Sequence, residues 1–129
     1  MSCAAALAVL DTIEREKLVA HAAAVGGTLR SGIAALADKH EGIGDVRGAG
    51  MFVGVELVAD RATRAPDRER TSRIVNRMRE KGILLSACAK GHNVLKIRPP
   101  LILTNEQAQM VVEALDGSLT ETETGAGKR

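Results

Sequence analysis

Apolar positions along this chain recur at two spacings, and each spacing marks a different kind of element. In residues 2–16, Ala4, Ala5, Ala6, Leu7, Ala8, Val9 and Leu10 are apolar on every side. That pattern predicts a helix buried on more than one side, which Ser2 can cap. In residues 18–39, Leu18, Ala22, Val25, Leu29, Ile33 and Leu36 step by three and four along one stripe, a second helix. Gly26, Gly27 and Gly32 each cost that helix up to ~1 kcal/mol against alanine. Either they serve close approach of a neighbouring backbone, or the helix simply tolerates them. Gly42 and Gly44 end the region.

The period then drops to two. Met51, Val53, Val55 and Leu57 alternate with Phe52, Gly54 and Glu56, the clearest strand in the chain. Gly48 and Gly50 just before it suggest a bulge or a tight approach. Residues 59–66 form a polar connection. Asp67 caps a third helix reaching Lys81, with Thr71, Ile74, Val75 and Met78 on its buried face and Gly82 closing it. Its basic run, Arg68, Arg70, Arg73, Arg77 and Arg79, is interleaved with Glu69 and Glu80 and reads as a solvated face. A short apolar strand is predicted at 83–86, and Lys90, Gly91 and His92 turn into another.

That last strand starts at Asn93. Leu95 and Ile97 face a core, whereas Val94, Lys96 and Arg98 share the opposite face. Lys96 and Arg98 then stand about 7 Å apart, and repel unless an anion, a carboxylate or water lies between them. Two readings stay open: a solvated strand face, or an anion contact on a rigid strand. Pro99 and Pro100 stop the ladder. Thr104 and Gln107 form a capping box for a last helix with Ala108, Val111, Val112 and Leu115 on its buried stripe. From Thr120 the chain has no apolar anchor, and residues 120–129 are expected to be a disordered tail.

The order helix, helix, strand, helix, strand, strand, helix predicts a two-layer α+β domain, with helices on one face of a small, mainly antiparallel sheet. The other face is left bare, carries Lys96 and Arg98, and is the natural seat for a partner domain. The first helix supports this, because the chain has little mass left to cover it.

Composition narrows the function. The chain's 129 residues suffice for one domain, and 45% apolar with 26% charged residues is ordinary for a globular protein. A net charge of +2, from 18 basic and 16 acidic residues, is too balanced for nucleic acid, and Phe52, the one aromatic, gives bases nothing to stack on. No apolar run approaches membrane-spanning length, and the alanine-rich start lacks the basic region of a signal peptide. Cys3 and Cys88 are isolated thiols, which suggests a reducing, cytoplasmic setting. His21, His40 and His92 are scattered, and read as surface or helix-end residues rather than metal ligands. The Gly48-Ala-Gly50 run is not followed by a helix, which excludes a dinucleotide loop. Arg47 and Glu56 read as solvated, or as contacts to a partner.

Three segments in register, 4–11, 44–57 and 93–101, resemble the C-terminal part of class III aminotransferases. The resemblance covers residues 3–119, and its 93–101 wording is closest to the branch that includes ethanolamine-phosphate phospho-lyases. It implies the small domain of a fold type I pyridoxal phosphate enzyme, which packs on a large domain and helps close the active site of a homodimer. It implies amino-group transfer from an amino acid or amine to a keto acid; the phospho-lyase reaction is the alternative. The cofactor lysine, the aspartate facing the pyridine nitrogen and the phosphate-binding threonine belong to the large domain, upstream of this chain's first residue. No catalytic, cofactor-binding or metal-binding residue is therefore expected here, no covalently held pyridoxal phosphate, and no activity from this chain alone. One position carries over: many members have arginine where Lys96 stands, contacting the substrate carboxylate or a glutamate of the large domain. Lys96 keeps the charge without the two-pronged fork, which suits a point contact to phosphate. Arg98 could supply a fork on the same face. The reading from a different class is a free-standing interaction module that binds a partner through the bare face.

Overall fold

The structure, a computed structural model, describes residues 2–124. Its elements run α1 (Ser2–Arg15), α2 (Leu18–Leu36), β1 (Ile43–Ala49), β2 (Phe52–Asp60), β3 (Ala65–Pro66), α3 (Arg68–Glu80), β4 (Ser86–Cys88), β5 (Val94–Ile97) and α4 (Asn105–Thr124). The strands form one sheet in the order β1-β2-β5-β4, with β3 pairing the end of β2, and every pairing is antiparallel. Helices α2 and α3 cover one side of this sheet, and α4 packs on both of them. This is the expected α+β architecture with a one-sided helix layer.

The core lies between the layers. Val53, Val55, Leu57 and Leu95 from the sheet meet Leu29, Ile33, Ile74, Met78, Leu115 and Leu119 from the helices, all buried. Asp67 caps α3 by accepting the Arg70 backbone N–H at 2.9 Å. The capping box of α4 forms as the sequence predicts: the Thr104 N–H donates to Gln107 Oε1 at 3.0 Å and the Gln107 N–H to Thr104 Oγ1 at 3.2 Å.

The glycines of α2 divide as their surroundings require. A Cβ on Gly26 would lie 2.0 Å from the Gly50 carbonyl oxygen, so α2 and the β1–β2 turn touch backbone to backbone. Gly50 takes a left-handed φ of 51° at that turn. Gly27 has nothing within 4 Å and serves no contact.

Several expectations need correction. Residues 43–49, read only as glycine-rich approach, are a full strand and make β1–β2 a hairpin. They lack apolar alternation because β1 is an edge strand. Arg30 Nη1 donates to its Gly48 carbonyl at 2.9 Å and Arg61 Nε to its Ile43 carbonyl at 3.2 Å. The strand predicted at 83–86 lies at Ser86–Cys88 instead, because the chain leaves α3 through an Ile83 N–H bond to the Met78 carbonyl before reaching β5. Helix α1 buries none of its residues, and Leu7, Val9 and Leu10 are exposed.

The remaining corrections concern charge. Arg70 and His40, read as solvated or surface residues, are both buried. His40 Nε2 lies 2.6 Å from Asp116 Oδ1, and His40 Nδ1 lies 3.2 Å from the Glu123 carboxylate, which also pairs with Arg70. These bonds tie the end of α4 to α3 and to the segment that follows α2, so residues 120–124 are helical and not part of a tail. Thr122 is buried and its hydroxyl donates to the Ser118 carbonyl at 3.0 Å. An ionic anchor stands where the sequence shows no apolar one. Residues 125–129, the rest of the expected tail, lie outside the described residues.

Two stability tests follow from this packing. Gly26→Ala should lower the urea-unfolding free energy by about 1–3 kcal/mol through overpacking, whereas Gly27→Ala should raise it by up to about 1 kcal/mol. The His40 hydrogen bond holds the Asp116 carboxyl below its ordinary value. Burial opposes the same shift in Glu123, but its bonds to Arg70 and His40 prevail and lower it too. Carboxyls held low add stability at every pH above the ordinary carboxylate range, and lose it as the pH falls through their lowered values. Asp116→Asn should therefore flatten the acid limb of the stability–pH curve and lower stability at neutral pH.

Candidate functional site

The helix-free side of the sheet follows from the pleat. Val53, Val55, Leu57, Leu95 and Ile97 point into the helix layer, so the residues between them point out. The register aligns Ser86, Lys96, Gly54 and Arg47 in one row across the strands. The next row is Cys88, Val94, Glu56 and Asp45. Among the described residues no helix packs on this face, and Phe52 stands on it 55% exposed.

One end of the face is electrically closed. Arg64 Nη2 reaches Glu56 Oε2 at 2.7 Å, Arg47 Nη1 reaches the same oxygen at 3.3 Å, and Arg47 Nη1 reaches Asp45 Oδ2 at 2.6 Å. The Arg64 hydrogen bond holds the Glu56 carboxyl below its ordinary value, helped by Arg47. The hydrogen bond that Arg47 donates to the Asp45 carboxylate does most to raise the Arg47 pKa. Arg47 and Glu56, read as solvated or as contacts to a partner, pair with each other and with Asp45 and Arg64, Arg47 staying largely exposed.

The other end is open. Lys96 is half-buried, and neither it nor Arg98 has an ion pair among the described residues. Arg98 lies just past the end of β5, with its guanidinium 5.9 Å from the centre of the Phe52 ring. The two cations share the open face as the alternation predicts, but Phe52 holds one of them and the ladder holds the other. A cavity of about 390 Å³ lies over Gly54, bounded by Phe52, Val94, Cys88, Lys96 and Arg47, with no carboxylate in its wall. The sequence reading missed Gly54, Phe52, Val94 and Cys88 as parts of a site. A glycine in mid-strand was the available sign, since it marks a bulge or a close approach.

The remaining titratable groups do not form a second centre. The cavity of about 590 Å³ bounded by Lys39, Asp60, Arg61, Arg70 and Glu123 has charges already committed. Arg61 donates to the carbonyls of Glu41, Ile43, Ala37 and His40. Among the described residues no group of histidine, cysteine and acid side chains could hold a metal. Both cysteines are free. No helix of the described residues is long and apolar enough to cross a membrane.

These residues do not build a seat for pyridoxal phosphate. Lys39 pairs with Asp116 at 3.5 Å and Lys81 with Glu121 at 2.9 Å. Lys17 and Lys90 are exposed, and Lys128 lies outside the described residues. Lys96 alone lines a cavity over the sheet, and that cavity has no acid to face a pyridine nitrogen.

Residues 1–119 match the model of the class-III aminotransferase family. The chain is 45% identical over 121 residues to the mitochondrial alanine–glyoxylate aminotransferase 2 homolog 2 of Arabidopsis thaliana, covering 94% of this chain and 25% of that protein. Its fold is similar to a PLP-bound amine transaminase from an uncultivated Pseudomonas species, at a TM-score of 0.84 and 36% identity, over 93% of this chain and 27% of that one. It is also similar to a phospholyase from Arthrobacter in complex with phosphoethanolamine, at a TM-score of 0.83 and 35% identity, over 88% and 27% of the two chains. The chain thus spans about a quarter of the length of the curated relatives it matches.

The position of Lys96 depends on how β5 begins. Asn93 is buried, its Nδ2 donates to the Leu57 carbonyl at 2.9 Å, and its carbonyl accepts the Leu57 N–H at 2.7 Å. Asn93→Ala should cost about 0.5–1.5 kcal/mol by removing a buried hydrogen bond, the Leu57 carbonyl keeping the Asp67 N–H at 3.2 Å. Chemical denaturation gives the loss, and faster amide exchange along β5 would locate it.

Proposed function

This chain belongs to the class-III aminotransferase family of pyridoxal phosphate-dependent enzymes, and we propose that it acts as the small domain of such an enzyme, closing the active site over a substrate. The large domain that holds the cofactor docks on the open sheet face and on exposed α1, and the complete enzyme is a cytoplasmic homodimer. The reaction is amino-group transfer from an amino acid or amine to a keto acid. Bound in the large domain, pyridoxal phosphate supplies the carbonyl that takes the amino group and the ring that holds the electrons.

The contribution of this chain is electrostatic and positional. Among the described residues Lys96 is a half-buried cation without a counter-charge, on the face where no helix packs, and this observation carries the proposal. In the assembled enzyme its ammonium meets the anionic end of the substrate, and the ladder on both sides of β5 keeps it in place. Arg98, held on Phe52, adds a second positive charge at the rim.

A second reading keeps the same cofactor but expels phosphate from a phosphorylated amine. Lys96 is compatible with it, because an ammonium binds phosphate as a compact point charge and lacks the fork that grips a carboxylate in two places. Similarity to the Arthrobacter phospholyase points the same way.

In the enzyme that carries both domains, Lys96→Met should raise KM for the anionic substrate, or lower kcat/KM by about 1.5–3 kcal/mol. Unchanged kinetics would assign Lys96 to structure. This chain alone, mixed with pyridoxal phosphate and borohydride, should yield no stoichiometric lysine adduct. A free-standing module would instead work with no large domain encoded upstream.

A further inference from the structure

Gly54 sits in the middle of β2, where a glycine weakens a strand and leaves nothing to pack. The backbone does not require it. Gly54 has no left-handed φ, and a Cβ there would meet Val94 Cγ1 at 3.4 Å and the Arg47 carbonyl oxygen at 3.8 Å, ordinary contacts. Alanine would fit. What its absence leaves is the floor of the 390 Å³ cavity, directly beside Lys96 in the ladder.

The walls of that cavity differ in character. On the same strand Phe52 offers a half-exposed ring, and across β5 and β4 stand Val94 and Cys88. On one side Lys96 brings a charge that no residue among those described neutralises. On the other side Arg47 is already occupied by Asp45 and Glu56. The recess is therefore apolar over most of its wall, with one available cation at its edge. That combination fits a small amphiphilic anion, with its charged group on Lys96 and a short carbon chain over Gly54.

We propose that Gly54 and Phe52 are specificity-determining residues: the bare floor at Gly54 and the Phe52 ring receive the carbon chain of an anion held by Lys96. This rests on the reading that Lys96 meets the anionic end of the substrate, and adds what decides which anions are accepted. Short unbranched chains fit over the glycine, and a side chain at position 54 excludes them.

The test uses the chain as it stands. Amide and side-chain NMR shifts are followed while inorganic phosphate or propyl phosphate is added, at about pH 8 where both are dianions. One buried methylene is worth roughly fourfold in affinity, so propyl phosphate should bind at least fourfold more tightly, with shifts at Phe52, Gly54 and Lys96. Gly54→Ala should remove most of that preference and leave the inorganic phosphate affinity within about twofold. Phe52→Leu should reduce the preference without the added methyl, guarding against a local effect of the alanine on β2. Equal affinity for the two phosphates, no saturable shift with either, or a preference that survives Gly54→Ala would overturn the proposal and assign the recess to packing. If Lys96→Met abolishes binding of both phosphates in a chain that shows no preference, the anion reading of Lys96 stands and the recess falls. If Lys96→Met changes nothing, the anion reading falls first.

Discussion

The backbone contact between Gly26 of α2 and Gly50 at the hairpin tip fixes how the two layers meet. No side chain separates helix from turn there, so α2 lies directly against one end of the β1–β2 hairpin. From that contact α2 runs beside β1, α4 packs across α2 and α3, and the apolar rows of β2 and β5 are covered from one side. A methyl group at position 26 would lift the helix and open the core beneath Leu29 and Val53. The same geometry leaves the opposite side of the sheet uncovered, because every helix that touches the sheet approaches from the layer α2 anchors.

An uncovered sheet face normally carries polar residues whose charges balance. Here the balance is uneven along the face. Asp45, Arg47, Glu56 and Arg64 neutralise one another at the end near β3. Among the described residues no acid remains for Lys96 or Arg98, and the space between the two ends is floored by a glycine and walled by apolar groups. A half-buried cation beside an apolar recess is an incomplete arrangement in water, and one that an anion of suitable shape would complete. In a family whose members act on amines and amino acids, the small domain would contribute that charge from a rigid strand.

Much of the fold was legible in the sequence because most buried elements keep one strict period. The stripe of α2, the alternation of β2, the Asp67 cap and the Thr104–Gln107 box are all local patterns. The misses share a cause in long-range structure. Edge strand β1 has little apolar alternation, and its hairpin is set by Gly50 meeting a helix residue far back in the chain. His40 and Arg70 look like surface residues until Asp116 and Glu123 are placed beside them, and those partners lie 76, 83 and 53 residues away. The same distances hid the end of α4, where a carboxylate replaces the apolar anchor a helix terminus usually shows. On the open face the alternation did identify Lys96 and Arg98 as neighbours, but spacing alone could not reveal that Glu56 is already taken or that Gly54 leaves a recess.

The two neighbours differ mechanically. Lys96 lies within β5, bonded into the ladder between β2 and β4, and its backbone can shift only if the sheet does. Arg98 is the first residue past the strand, before two prolines that cannot rejoin the ladder, and what keeps it on the face is the Phe52 ring. A cation–π contact at an exposed site is worth only about 0.5–1 kcal/mol, little more than thermal energy. Arg98 can therefore leave the ring for a stronger partner, whereas the Lys96 backbone stays where the ladder holds it. An ammonium rooted in the ladder suits the part of an anion that must be positioned for chemistry, and a loosely held guanidinium past the strand suits capture at the rim. Exchanging the two residues would keep the charge of the face and reverse this division, with the fork rooted in the ladder and the point charge placed beyond it.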